Sequence, residues 1–418
     1  MTNRESVLAP NTSHLAPNTS HLTPSNRERV LAAVRGDPVD RMPWVPRLEF
    51  WHRARRRSGA LPAGLRPLSL VEISDRLGSG HYHVIPDFTD CPRDFDMLDR
   101  ALGIFSLPVL PYRVTLDGVD RRVLRHDDRE TILEYHTPVG SLRTSTVFTD
   151  EMLDGGSSMS WITEHPIREP RDFETVGYIF SHLRVEPQFD GYLAKRDEVG
   201  DRGIVIGYTS GCAGPLHHIM KELMPMEQFF YALHDYPAEM HRLADQIEPF
   251  YARILEIAAE SPAEVVLYGG NYDDSITYPA FFRTYILPRL RDYAGVLHGR
   301  GKYLLTHTDG ENRKLLPLYR EANFDVADSV CPHPMTSCTL EELRQAFAGR
   351  IAIWGGIPSV LLCPDSATTP QFRSFIDDVV ARYGRESRFI LGVSDMVPSD
   401  AEWDRMQYIT EKVARVLS

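Results

Sequence analysis

His307 and Asp309 stand two residues apart at the end of the apolar run 302–306. At an extended strand end both side chains project the same way. An imidazole beside a carboxylate relays a proton near neutral pH or ligates a metal. Asp273, Cys331, His333 or Asp395 could complete a metal site. His307, Asp309 and Cys331 are one metal set these residues offer, although the paired-cysteine spacing of a zinc ribbon is missing. The plainer alternative is a histidine hydrogen-bonded within its own loop. Asp273 and Asp274 are two further carboxylates suited to a general base or a substrate anchor. Carboxylates also collect ahead of a helix such as the one opening at Pro279.

These residues belong to a pattern. Tyr208 is followed by Thr209, Ser210, Gly211 and Cys212, and Tyr268 by Gly269, Gly270, Asn271 and the two aspartates. Val330 is followed by Cys331 and His333, Trp354 by Gly355 and Gly356, and Val393 by Ser394 and Asp395. Each cluster trails an apolar run of strand length. If those runs are parallel strands of one barrel, all the clusters meet at one mouth, where such folds carry their active sites. Asp273, Asp274, His307, Asp309 and Asp395 are therefore the expected catalytic residues. Tyr208, Asn271, Cys331, Gly355 and Gly356 are expected to line the substrate. Any one of them alone is explained as a turn or cap residue; the convergence of the set is what points to a site.

The elements that must position them alternate regularly. From Gly203 onward, apolar strand-length runs at 204–208, 265–268, 302–306, 325–330, 351–354 and 389–393 alternate with helical patterns. Met240, Leu243, Ile247, Phe250, Ile254 and Ile257 form one apolar stripe at helical spacing. Six β-α units in a row imply a parallel sheet with helical crossovers. With further β/α material upstream, closure at eight gives a (β/α)8 TIM barrel. A doubly wound open sheet is less consistent, because no glycine-rich dinucleotide or phosphate loop follows any strand. Short β-leaning runs at 114–116, 122–124, 131–135 and 141–148 read as an antiparallel meander inserted over 110–165, and 166–187 as a mixed connector. Residues 1–25 repeat Leu-Ala-Pro-Asn-Thr-Ser-His and read as a disordered low-complexity tail, leaving 26–418 as the catalytic domain.

Composition narrows the function classes. A net charge of −12 argues against nucleic-acid or anionic-membrane binding. No apolar run approaches the roughly 18 residues of a membrane span, and no secretory leader pattern is present. Five scattered cysteines suit a reducing compartment, so a cytoplasmic location is expected. The basic run 51–57 could gather an anionic substrate, but such runs are more often solvated helix faces. The sequence leaves the assembly open, a homodimer being one expectation.

Several of these segments resemble the uroporphyrinogen decarboxylase superfamily. The resemblance rests on 26–30 with 36–43, on the turn Gly211-Cys212-Ala213-Gly214-Pro215-Leu216, on 268–288, on 307–310 with Phe324-Asp325, and on Trp354-Gly355-Gly356-Ile357-Pro358 with Gly392. It covers about residues 26–418 and implies a barrel with its cleft at the strand carboxyl ends. The superfamily implies two chemistries. One is cofactor-free decarboxylation of tetrapyrrole acetate side chains. The other is methyl transfer between a methylated donor, a corrinoid protein and an acceptor, with zinc on a His-x-Cys pair and a later Cys. The chain departs from both. Where the decarboxylases carry Met-Arg-Gln-Ala-Gly-Arg, it reads Pro46-Arg47-Leu48-Glu49-Phe50-Trp51, so Arg47 alone echoes their substrate-binding arginines. Where the methyltransferases carry the first Cys it has Asp309, and Ser394-Asp395 falls near the second.

The leading expectation is a zinc-assisted methyltransferase acting on a methylated small molecule with a corrinoid carried by a partner protein. The alternative is a metal-free carboxy-lyase acting on a tetrapyrrole or other carboxylated ring. A third reading is a barrel that binds a ligand without catalysis.

Overall fold

The computed structural model describes residues 23–83, 98–157 and 159–417, so all but the last three residues of the expected tail lie outside it. In chain order its strands are β1 (His81–His83), β2 (Tyr112–Leu116), β3 (Asp120–His126), β4 (Glu130–Thr137), β5 (Gly140–Val147), β6 (Trp161–Glu164), β7 (Leu183–Pro187), β8 (Gly203–Val205), β9 (Gly207–Ser210), β10 (Val265–Gly270), β11 (Tyr303–His307), β12 (Val326–Val330), β13 (Ala352–Ile357) and β14 (Phe389–Val393). Strands this apolar must pair to satisfy their backbone groups away from water. β9 to β14 do so as a parallel sheet in strict sequence order. β8 runs into β9 through Ile206 and pairs in parallel with β1.

The ring closes through a segment too short to form a strand. Leu391 of β14 brackets Trp44: its N–H donates to the Pro43 carbonyl and its carbonyl accepts from Val45 N–H, both at 2.8 Å. Gly80 N–H, just before β1, donates to the Trp44 carbonyl at 2.8 Å. Trp44 therefore fills the place between β14 and β1. With β1, the β8–β9 strand and β10 to β14, it makes the eight positions of a TIM barrel.

Helices cover the outside because each buries one apolar stripe. The helix Pro237–Glu260 runs through Pro249 and buries all six residues of the stripe expected for it. Burial of each such side chain contributes about 1.5–3 kcal/mol. Capping boxes at Ser25/Glu28, Ser69/Glu72, Thr339/Glu342 and Thr368/Gln371 set helix starts by pairing otherwise orphaned N–H groups. The last helix is Trp403–Ala414, and the segment 399–402 just before it stays outside the helix. That segment is drawn to the helix Glu49–Arg57, where Trp51 Nε1 and Arg55 donate to the carbonyls of Ala401 and Ser399. Among the described residues no helix is long and apolar enough to cross a membrane.

The β-rich insertion differs in detail from expectation. β3, β4, β5 and β6 form a four-stranded antiparallel meander. The first expected run, β2, is not part of it. It pairs instead with β7, which lies in the supposed connector behind the helix Asp172–Ser181. Strand partners separated by about 70 residues leave no local sequence signal.

Backbone strain is concentrated at the two ends of the barrel. At the carboxyl end, Asn271, Ser329 and Asp395 have φ of 58°, 59° and 58°, and Gly355 has φ of 133°. Such conformations cost a side-chain-bearing residue about 1–3 kcal/mol. A Cβ at Gly355 would also lie 2.7 Å from both Val330 N and O, so the glycine lets β13 approach β12. Gly355→Ala is expected to destabilise the protein by about 2 kcal/mol or more in denaturant unfolding, because backbone cannot yield as a flexible side chain can.

Candidate active site

β11 and β12 run in register with His307 opposite Asp328. Neighbours in register share a face of the sheet, so the two side chains meet. His307 Nδ1 lies 2.7 Å from Asp328 Oδ2, and Asp328 is fully buried. A carboxylate at Nδ1 holds the ring so that Nε2 faces the barrel mouth. Nε2 looks at Asp309 Oδ1 at 3.5 Å and Asp395 Oδ1 at 3.6 Å, attractive distances but longer than a well-formed hydrogen bond. Burial disfavours the imidazolium. Asp309, the hydrogen bond to Asp328 and the Asp395 charge outweigh it and push His307 up to about 9. The ring is therefore a cation at neutral pH.

Two further residues complete the charge cluster. Arg47 comes from the segment behind Trp44 and donates from Nη1 to Asp395 Oδ1 at 3.1 Å. Burial opposes its charge, but Asp395 and Glu49 overcompensate and raise its affinity for the proton. Asn271 Nδ2 donates to Asp309 Oδ1 at 3.0 Å, and Asn271 N–H donates to the His307 carbonyl at 3.0 Å. Gly270 makes this approach possible, since a Cβ there would lie 2.8 Å from the His307 Cβ. Asp309 and Asp395 keep exposed carboxylate surface, which opens the cluster to the mouth.

Of the residues expected from sequence, His307, Asp309, Asp395, Arg47 and Asn271 are brought together. Cys331 sits beside them, but burial raises its thiol pKa, so it is protonated. Asp273 and Asp274 are placed otherwise. Asp273 accepts from the N–H groups of Ser275 and Glu311, at 2.9 and 3.2 Å, and from the Ser275 hydroxyl. Asp274 accepts from Lys314 N and Nζ at 2.9 and 3.1 Å. These carboxylates tie the loop after β10 to the loop after β11, and among the described residues neither bonds to His307. Tyr208 is buried on β9 with its hydroxyl beside Gly211, and Gly355 and Gly356 shape the end of β13. Cys212 is buried and pushed up to about 12, which leaves no thiolate there. The basic run on the helix Glu49–Arg57 is spent on structure: Arg53 donates to Ser157 O, Arg55 to Ser399 O and Arg57 to Asp154.

Asp328 was missed. Its signal was a charged residue inside a strand flanked by apolar residues, a placement that burial permits only with a partner.

The set does not fit a zinc centre. Among the described residues, no group of three His, Cys, Asp or Glu side chains could hold a metal ion. Asp395 Oδ1 is already paired with a guanidinium, the carboxylates around His307 favour its protonated form, and burial keeps Cys331 a thiol, whereas a metal needs deprotonated ligands. The arrangement is that of a proton donor held among carboxylates.

A family profile described as Uroporphyrinogen decarboxylase (URO-D) matches residues 156–416, which spans β6 to β14 and every member of the cluster except Arg47. The chain belongs to this family. The URO-D match begins inside the β-rich insertion, and the first two barrel positions lie before it. No curated protein matches the sequence. Among solved structures, a methyltransferase from Methanosarcina mazei aligns over 94% of this chain and 100% of its own, at 12% identity and a TM-score of 0.53. At that identity the likeness extends to the fold alone. The barrel expected from the strand–helix rhythm is thus the fold of the URO-D family.

The raised pKa of His307 makes stability depend on pH. The unfolded value is near 6.5 and the folded value near 9, so the stabilisation is complete below about pH 6.5 and is lost as pH rises through about 9. Denaturant unfolding should show this loss in the wild type and a smaller one in Asp328→Asn. The same variant should lower the His307 titration midpoint by about one unit or more in an NMR titration of the ring. An unmoved midpoint would contradict the pairing.

Proposed function

We propose that the protein is an enzyme of the URO-D family that transfers a methyl group with acid assistance from His307. One observation carries this reading: a buried imidazole whose Nδ1 is tied to Asp328 and whose Nε2 lacks a full hydrogen bond in the protein, with carboxylates around it that favour its charged form. A substrate heteroatom entering the mouth can take that place. Protonation matters most when the leaving group is poor, as an ether oxygen is; a sulfonium or quaternary ammonium leaves without it. The donor is therefore a methyl ether. Its oxygen–methyl bond breaks, the oxygen takes the His307 proton and leaves as a hydroxyl, and the methyl passes to a nucleophilic acceptor. The resemblance seen in the sequence suggests a corrinoid on a partner protein as that acceptor. His307 is reprotonated from solvent through the open side of Asp309 and Asp395.

The charge of the site also bears on the substrate. Arg47 is committed to Asp395, and the cluster holds Asp309, Asp328 and Asp395 against His307 and Arg47. A cleft with this balance disfavours a ligand that brings many carboxylates. A carboxy-lyase is the second reading. It is favoured by Arg47, a buried cation at the mouth able to meet a substrate carboxylate if Asp395 yields, and by the proton that His307 could deliver to the resulting carbanion.

Purified protein incubated with aryl methyl ethers and cob(I)alamin should release the free hydroxyl compound and form methylcob(III)alamin, followed by absorbance. His307→Gln should lower that rate by about 10²–10⁴-fold. In parallel, uroporphyrinogen should keep all its carboxyl groups when analysed chromatographically. Carboxyl loss with no methyl exchange would replace the first reading by the second.

A further inference from the structure

β12, β13 and β14 run parallel to β11, which ends at His307, so their amino ends lie at the opposite end of the barrel from the charge cluster. An open cavity of about 220 Å³ sits there. It is lined by Arg320 from the helix Leu316–Ala322, by Asp325 just before β12, by Arg350 before β13 and by Arg388 before β14. Three arginines with one carboxylate are a concentrated positive charge in a chain whose net charge is −12.

Ordinary structural roles absorb only part of this set. Arg388 is tied to the helix Asn26–Arg35, where its Nη1 and Nη2 donate to the carbonyls of Val34 and Arg35 at 2.8 and 2.7 Å. Its backbone is left-handed at φ 57°, an uncommon conformation for a long side chain. The guanidinium lies against Gly36, where a Cβ would come 2.5 Å from its Nε. Asp325 is committed as well. Its Oδ2 accepts from Leu304 N–H at 2.7 Å and from His298 Nε2 at 2.8 Å. Arg320 and Arg350 are different: among the described residues neither side chain makes a hydrogen bond or an ion pair. Two carboxylates close by in sequence are taken elsewhere, Glu321 by Arg283 and Arg291, and Glu386 by Arg344.

Like charges around one cavity repel one another, and among the described residues no carboxylate pairs with any of the three arginines. An anion would relieve that repulsion. A guanidinium is planar and always charged, and its paired N–H donors match the oxygens of a phosphate. The cavity volume is several times the roughly 30 Å³ that a water occupies, which leaves room for two linked phosphate groups. We propose that this cavity binds a diphosphate group, with Arg320, Arg350 and Arg388 as its cationic partners. Arg388 is the fixed member, held by the carbonyls of Val34 and Arg35. Arg320 and Arg350 are exposed and unpaired, so both can turn onto the anion without breaking an existing contact. The site is separate from the mouth of the barrel and does not depend on the reaction proposed for His307.

Full-length protein would be titrated calorimetrically with pyrophosphate, and in parallel with inorganic phosphate and citrate. Saturable binding of one pyrophosphate is expected, with a Kd below about 1 mM and about tenfold or more tighter than phosphate. Arg320→Gln and Arg350→Gln should each weaken it about tenfold, the loss of one charge-assisted contact. Arg385→Gln, which removes an exposed arginine outside the cavity, should leave it unchanged. Both cavity arginines are exposed, so folding should survive their loss, and an unchanged denaturant midpoint checks this. No saturable binding by wild type, or binding that persists when both arginines are replaced, overturns the proposal. The two single variants decide if the double variant does not fold. Citrate binding as tightly as pyrophosphate also overturns it, because the cavity would then answer to charge and not to a diphosphate.

Discussion

A charged carboxylate buried in the wall of a β-barrel is tolerable only if something positive meets it, and in this protein His307 meets Asp328. Desolvating Asp328 alone would cost several kcal/mol, so the strand that carries it and the strand that carries His307 must stay in register. Register in turn sets where each loop leaves the barrel. The same pairing favours the charged form of His307, so the protonation of this ring and the register of the two strands support each other.

Around that pair the fold supplies geometry that no single element contains. Arg47 arrives from the chain before β1, Asp395 from the loop after β14, and both converge because the barrel closes through Trp44. Left-handed residues at Asn271, Ser329 and Asp395 turn the chain sharply at the mouth, where strain is offset by hydrogen bonds and ion pairs. Glycines at 270 and 355 let backbone approach where a side chain would collide. The remaining loop carboxylates, Asp273 and Asp274, keep the two neighbouring loops together so that the charged pair is presented and not buried further.

Much of this was legible in the residues. The apolar runs and the amphipathic stripe of the helix Pro237–Glu260 announced the barrel's strands and helices, because those signals are local. That His307, Asp309 and Asp395 would meet was legible for the same reason: polar groups that trail apolar strands gather at one mouth. The meander was legible as β-structure but not in its pairing, since β2 finds its partner in β7 across the intervening meander. Asp273 and Asp274 looked equally suited to chemistry. A carboxylate's type does not reveal whether a neighbouring loop will supply it with N–H donors.

The sequence by itself determined the strand–helix alternation, the set of polar residues at the strand ends and, through resemblance, the URO-D family, because each depends on residue type and short spacing. Only the tertiary structure decided which of those polar groups meet. Asp328 could become the partner of His307 only when two strands aligned in register. Arg47 could reach Asp395 only when the ring closed across nearly 350 residues of chain. That difference also decided what the expected ligands touch: His307 meets Asp328 and Asp395 meets Arg47. The protonation of His307 depends on through-space charges a few ångströms away, and no spacing along the chain encodes such distances.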